Sequence, residues 1–258
     1  MQQTLMPPSY FRNIIMTSGI DHKDRLDRIT SPIPGNSGTV KKKGIEKKMD
    51  SDQKATGKAS IYVDIDDVLA ESTLSFLSIL EHDFGKTFSF DQIIDFDLKK
   101  SFHLTDLEYE QFFHAIHQPE TILGLEPIED AIHNLKQWQK HGYHIVVVTG
   151  RLTDAYESSL AWLAKHKIPC NTFIMLDKYS RPGVDRHIAL SLQEFSKMRF
   201  TLAVEDSLMM ARFLSNNMNI PVALMDRPWN QTSSLDGRIV RCHSWQEVKD
   251  MTATLPYA

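Results

Sequence analysis

Two cysteines in 258 residues leave almost no material for covalent cross-linking. Cys170 and Cys242 stand far apart with no CxxC pairing. That argues against a disulfide framework or a thiolate zinc site and fits a reducing, cytoplasmic setting. Long apolar runs are missing too. The run from His144 to Val148 carries four aliphatic residues, which suits a strand and falls far short of the roughly 20 apolar residues of a membrane-crossing helix. Positive charge is scarce beyond the N-terminal region. Residues 1–58 hold 11 Lys/Arg against 6 Asp/Glu, formally +5, which leaves residues 59–258 with 18 against 27, formally −9. An acidic body lacks the cations that grip phosphate backbones, so nucleic acid is not an expected partner of the folded part.

What is present is ordinary globular composition, 41% hydrophobic and 24% charged, enough for one sizeable core or two small ones. Up to about Ser60 there is no sustained periodicity, and Pro7-Pro8, Pro32, Pro34-Gly35 and the lysine-rich run 41–48 punctuate the chain. Residues 1–58 therefore read as a disordered basic leader. They carry no 7–15-residue apolar stretch of a secretory signal, and Asp21, Asp24 and Asp27 speak against a transit peptide. Met49 is a possible alternative start.

From Ile61 the pattern changes. Ile61-Tyr62-Val63 is β-prone and ends in Asp64, Asp66 and Asp67, as a buried strand would if it delivered carboxylates at its C-terminal end. Apolar spacing predicts helices over 72–84, 106–116, 128–141 and 154–166, and strands over 144–148, 172–176, 201–204 and 221–225. Strands alternating with helices imply an α/β fold with a doubly wound, mostly parallel sheet. The stretch 72–126 has helical patterning and no strand of its own, and is too long for a simple crossover. It is expected to be a small helical cap inserted over the C-terminal edge of the sheet, within a domain spanning 59–258.

The polar clusters all fall at strand ends, so in a parallel sheet they converge on one rim. Two carboxylates at i and i+2, Asp64 and Asp66, suit one attacking and one proton-moving role. Asp206 adds a hard oxygen ligand of the kind Mg²⁺ prefers. Thr149 and the backbone of Gly150 supply donors, and a lysine would supply positive charge for phosphoryl oxygens.

These residues carry a resemblance. Ile61-Tyr62-Val63-Asp64-Ile65-Asp66-Asp67-Val68, Val146-Val147-Val148-Thr149-Gly150-Arg151 and Ala203-Val204-Glu205-Asp206-Ser207 resemble the first, second and fourth motifs of the haloacid dehalogenase superfamily. Leu224-Met225-Asp226-Arg227-Pro228-Trp229-Asn230 and Leu125-Glu126-Pro127-Ile128 are similar to segments of its 5'(3')-deoxyribonucleotidase-like branch. The resemblance covers about residues 60–250. It implies a Rossmann-like core, an aspartyl-phosphate on Asp64, and proton transfer by Asp66. It also implies Mg²⁺ held by Asp64, Asp206 and the backbone carbonyl of Asp66, and phosphate binding by Thr149, Gly150 and a third-motif lysine. Lys178 is preferred for that lysine over Lys197 because nucleotidase-like members carry one there in a similar Asp-Lys context. Asp67 departs from the pattern, which places Gly after the second catalytic Asp.

The expected activity is Mg²⁺-dependent hydrolysis of a small phosphomonoester, most of all a nucleoside or deoxynucleoside 5'-monophosphate. The alternatives are a sugar-phosphate or other metabolite phosphatase, a catalytically silent ligand-binding protein, and nucleic-acid work through the basic leader. Arg151 and Glu205 are read either as site members or as halves of structural ion pairs. His114 and His117 are expected to be surface residues. The cap phenylalanines Phe96, Phe102, Phe112 and Phe113 are read as core before base-stacking platforms, and Trp229 has the same two readings.

Overall fold

The computed structural model describes residues 59–181, 184–232 and 234–253, all within one unit of the chain. The basic leader and the alternative start at Met49 lie outside the described residues. Seven strands form the sheet: β1 (Ser60–Asp64), β2 (His144–Thr149), β3 (Thr172–Asp177), β4 (Leu190–Ser191), β5 (Leu202–Glu205), β6 (Val222–Met225) and β7 (Ile239–Cys242). Their order is β4-β3-β2-β1-β5-β6-β7, and each neighbouring pair is parallel. This is the Rossmann-like architecture expected of the sequence, enlarged by β4 and β7, two short strands whose local pattern is too weak to announce them.

The central strands are apolar on both faces because helices cover both. Ile61, Val63 and Ile65 point into one core with Leu135 and Trp138 of α5 (Glu129–Lys140), Trp162 of α6 (Tyr156–Lys165) and Trp245 of α9 (Trp245–Thr252). Tyr62, Val146 and Val148 point into the other with Phe195 of α7 (Leu192–Phe195) and Leu214 of α8 (Leu208–Met218). The period-2 alternation of side chains along a strand thus splits β1 between two layers. β1 lies between β2 and β5, and the register aligns Asp64 with Val148 and Val63 with Val204. The carboxyl ends of three strands therefore meet at the point where the strand order reverses, which is the crevice where open α/β sheets take ligands.

Between β1 and β2 the chain is helical: α1 (Ser72–Phe84), a 3₁₀ turn (Phe90–Gln92), α2 (Leu98–Ser101), α3 (Asp106–Ile116) and α4 (Pro119–Gly124). α1 stops at Gly85, whose φ of 63° lets its N–H reach the carbonyl of Leu80, a left-handed cap that glycine adopts without strain. α3 starts with a capping box in which Thr105 and Glu108 satisfy each other's backbone N–H groups. These helices have a core of their own, in which Phe102 and Phe112 meet edge to face with ring centroids 5.5 Å apart. Among the described residues no helix is long and apolar enough to cross a membrane.

Candidate active site

β1 ends at Asp64, and the chain then turns sharply. The carbonyl of Ile65 accepts the N–H groups of Leu69 and Ala70, and Asp67 sits at φ 56°. Left-handed backbone is one of the few strained states that Asp tolerates, so the departure from Gly at this position keeps the turn. Asp67 has a second function in the fold. Its carboxylate accepts the backbone N–H of Thr73 at 3.1 Å and the Thr73 hydroxyl at 2.7 Å, satisfying a first-turn donor of α1. Burial pushes its carboxyl up to about 6.

At the floor of the crevice, Lys178 donates to Asp64 Oδ1 at 2.8 Å and to Glu205 Oε1 at 2.5 Å. All three side chains are almost completely buried. Glu205 is saturated: Tyr62 donates to Oε1 at 2.7 Å, and the backbone N–H groups of Asp206 and Ser207 donate to Oε2. Glu205 is thus half of an ion pair, and that pair is what positions Lys178. Gly150 makes room for this lysine. A Cβ there would lie 3.0 Å from Lys178 Cδ and 3.0 Å from the Tyr179 ring. Lys197 lies elsewhere, exposed just after α7.

Asp66 is held from both sides. Ser72 donates to Oδ1 at 2.5 Å, Arg151 Nε lies 3.2 and 3.1 Å from the two carboxylate oxygens, and Arg151 Nη2 lies 2.6 Å from Oδ1. Burial opposes the charge on Asp66, but the guanidinium and the hydroxyl outweigh it and hold the carboxyl below its ordinary value. Thr149 is fully buried at the end of β2, its hydroxyl accepting the N–H of Arg151. Asp206 is fastened by the segment after β6. Trp229 Nε1 donates to its carboxylate at 2.9 Å, and the Asn230 amide donates to its carbonyl at 2.7 Å.

Carboxylate oxygens of Asp64, Glu205 and Asp206 lie within 4.8 Å of one another. Burial, and then the charge of Glu205, push Asp64 up to about 8 and Asp206 well above its ordinary range. The charge of Lys178 does not balance three buried acids. Among the described residues Asp64 and Asp206 each keep a carboxylate oxygen without a protein donor, the kind of hard ligand that could hold a divalent cation that retains waters. The donor set fits Mg²⁺ through Asp64 and Asp206, with Glu205 excluded by its own hydrogen bonds.

Above this floor lies a cavity of about 410 Å³ whose wall includes Asp64, Asp66, Lys178 and Asp206 together with Phe76, Phe96, Tyr109, Phe113, Tyr179 and Trp229. The phenylalanines read together from the sequence divide: Phe102 and Phe112 are core, whereas Phe96 and Phe113 face the cavity. The histidines also separate. His114 is exposed, as expected. His117 is not a surface residue: at the end of α3 its ring turns into the cavity and packs on Phe113 at 4.4 Å. Its Nδ1 lies 2.7 Å from the Phe113 carbonyl. A carbonyl only accepts, so Nδ1 carries the proton and Nε2 is the acceptor. Burial pushes His117 down to about 4. His117, Tyr179 and Arg181 carry no sequence pattern that singles them out as cavity residues.

The family model described as "5' nucleotidase, deoxy (Pyrimidine), cytosolic type C protein" matches residues 58–255. Curated relatives include a protein of Halalkalibacterium halodurans named "Putative nucleotidase". It is 26% identical over 188 residues, covering 72% of this chain and 89% of that protein. Another with the same description, from Bacillus subtilis, is 22% identical over 190 residues with the same coverage. Among solved structures, a HAD family hydrolase of Deinococcus radiodurans with bound phosphate and sodium shares the fold with a TM-score of 0.51 at 12% identity. That match covers 78% of this chain and 99% of the other.

Proposed function

Because this chain belongs to the family of cytosolic type C deoxy (pyrimidine) 5' nucleotidases, a phosphatase family of the haloacid dehalogenase class, we propose that it is a Mg²⁺-dependent phosphomonoesterase acting on nucleoside or deoxynucleoside 5'-monophosphates. The observation that carries this reading is the meeting of Asp64, Lys178 and Asp206 with the Arg151-held Asp66 at one rim, under an aromatic cavity. Six aromatic rings in the wall favour a nucleobase over a bare sugar as the leaving group's outer part.

In the first step an Asp64 oxygen attacks phosphorus, the bond from phosphorus to the ester oxygen breaks, and Asp66, reacting from the minor protonated form that its pairing with Arg151 leaves, delivers its proton to that oxygen. In the second, Asp66 takes a proton from water, the water oxygen bonds to phosphorus, and the bond to Asp64 breaks, releasing orthophosphate and regenerating both carboxyl groups. Lys178 neutralises the Asp64 carboxylate and the phosphoryl oxygens, while Thr149 and the Gly150 backbone donate to those oxygens. Asp64, Asp206 and the backbone carbonyl of Asp66 would hold Mg²⁺, which when bound would supply further positive charge at the phosphoryl group. Residues 72–126 act as the cap over this site within a domain of residues 59–258, and the two free cysteines support a cytoplasmic setting.

The test is phosphate release from nucleoside monophosphates and sugar phosphates, with Mg²⁺ and with EDTA, for wild type beside Asp64→Asn. Release that needs Mg²⁺, prefers nucleotides and is abolished by the substitution is expected. Release from sugar phosphates alone moves the substrate class, and no release from any ester by folded, Mg²⁺-supplied protein overturns the reading.

A further inference from the structure

Among the described residues three Lys/Arg side chains line the cavity, and two of them are committed. Lys178 is paired with Asp64 and Glu205, and Arg151 with Asp66. The third, Arg181, has no carboxylate partner among the described residues. Its guanidinium carbon lies 4.9 Å from the centroid of Phe113 on α3 and 4.4 Å from that of Tyr179. One of its donors is used, Nη1 reaching the carbonyl of Gly150 at 3.2 Å. Rings against the guanidinium restrict where its remaining N–H groups can point, because guanidinium donors lie in the plane of the group. Arg181 is half-buried and lines the cavity. A half-buried positive charge, stacked between two rings and left without an acid among the described residues, is arranged to receive an acceptor from a ligand.

Its position says which part of the ligand that is. The phosphoryl end belongs to the floor, with Asp64, Asp66 and Lys178. Arg181 touches the edge of that floor through the Gly150 carbonyl and extends from there between Tyr179 and Phe113, a residue of the helical insertion. His117 packs on the same Phe113 ring, so this corner of the wall is made jointly by the sheet rim and by α3.

We propose that Arg181 is a specificity-determining residue: it pairs in its own plane with acceptor oxygens on the leaving group, on the side of the cavity formed by Tyr179 and Phe113. This rests on the phosphomonoesterase reading above and adds to it the residue that reads the leaving group. The oxygens come either from a nucleobase carbonyl or from a second phosphate on the sugar, and substrates separate the two sources.

The experiment uses the full chain with Mg²⁺ and measures kcat and KM for wild type, Arg181→Met and Arg181→Lys. Three esters are compared: thymidine 5'-monophosphate, thymidine 3',5'-bisphosphate and deoxyribose 5-phosphate, which has neither base nor second phosphate. Arg181→Met is expected to raise KM about 10- to 100-fold on the ester that carries the recognised oxygens, with kcat within about 3-fold. KM on deoxyribose 5-phosphate stays unchanged, and Arg181→Lys recovers part of the loss. A loss already present with the monophosphate assigns the base carbonyl, and a loss confined to the bisphosphate assigns the second phosphate. An equal loss on all three esters, or a fall in kcat without a rise in KM, makes Arg181 a phosphoryl ligand or a structural residue and overturns the proposal. So does an unmoved KM throughout. The wild-type measurements alone decide the underlying reading: hydrolysis of neither nucleotide overturns both, whereas an active wild type with an indifferent Arg181→Met overturns only the role of Arg181.

Discussion

Arg151 and Asp66, 85 residues apart in sequence, are joined as a fork on a carboxylate, with Nε within 3.2 Å of both oxygens and Nη2 at 2.6 Å from Oδ1. The fork fixes the plane of Asp66 and aims it, and Ser159 in turn accepts from Arg151 Nη1 at 3.2 Å. Proton transfer to an ester oxygen needs that aim most when the leaving group is poor. Arg151→Met is therefore expected to cut kcat/KM on a nucleoside monophosphate by about 100-fold or more and on p-nitrophenyl phosphate by clearly less. Equal losses on the two esters would remove Arg151 from the positioning of Asp66.

Lys178 shares its ammonium between two buried carboxylates. Lys178→Met leaves Asp64 and Glu205 facing each other uncompensated, and breaking such a buried pair typically costs about 3–5 kcal/mol. Urea unfolding should show that loss together with the disappearance of activity. A variant of unchanged stability would mean that the pair is not desolvated as the structure places it.

Tyr62 is buried at the back of the site and donates to Glu205 at 2.7 Å. Tyr62→Phe keeps the ring contacts with Phe195 and Phe200 and removes one hydrogen bond to a charged group, a loss of about 1.5–3 kcal/mol. Glu205 keeps Lys178, so activity should fall only severalfold. A thermal scan and an assay on the same preparation check both halves.

Gly150→Ala places a methyl 3.0 Å from both Lys178 Cδ and the Tyr179 ring. Two buried neighbours must shift, at about 1–3 kcal/mol, and the lysine leaves its line to Asp64. Lower stability and lower kcat are expected together, and full activity would show that the stem of Lys178 has slack.

His117 titrates near 4 in the folded protein because it is buried, against about 6.5 when unfolded. Between those values the unfolded chain binds the proton and the folded chain does not, so the contribution of this ring to stability is fully present above about 6.5. It is lost as pH falls toward 4, by up to about 3 kcal/mol. His117→Gln should flatten the stability profile between pH 4.5 and 6.5. Parallel profiles for the two proteins would show that the ring is solvated.

The strand ends were legible in sequence because hydrophobic runs are local. Ile61-Tyr62-Val63 and Ile145-Val146-Val147-Val148 are continuous apolar segments that only a sheet covered on both faces buries, and acids or a threonine stop each of them. That pattern alone placed Asp64, Asp66, Thr149 and Asp206 at one rim, and the helical stretch after β1 followed from the same periodicity. β4 has only two residues, and β7, though as long as β5, breaks its apolar run with Arg241 and leaves Val240 exposed.

Partnerships are another matter, since they join residues that no local pattern relates. Lys178 and Lys197 both follow predicted strands or precede acids, and the difference between them is burial: one lies under Gly150 between two carboxylates, the other on the surface. Whether Arg151 and Glu205 were site residues or structural ion pairs was likewise undecidable from their neighbours, and each is paired with a residue of the site itself. His117 looked like a surface residue beside His114 because three residues on a helix say nothing about which face meets a cavity. By itself the sequence determined a parallel sheet with five of its seven strands and the acids that their ends carry. Only the tertiary structure decided which charges neutralise one another, which cation stacks on rings without an acid among the described residues and which rings line the cavity, because those follow from where loops cross and how much water they exclude.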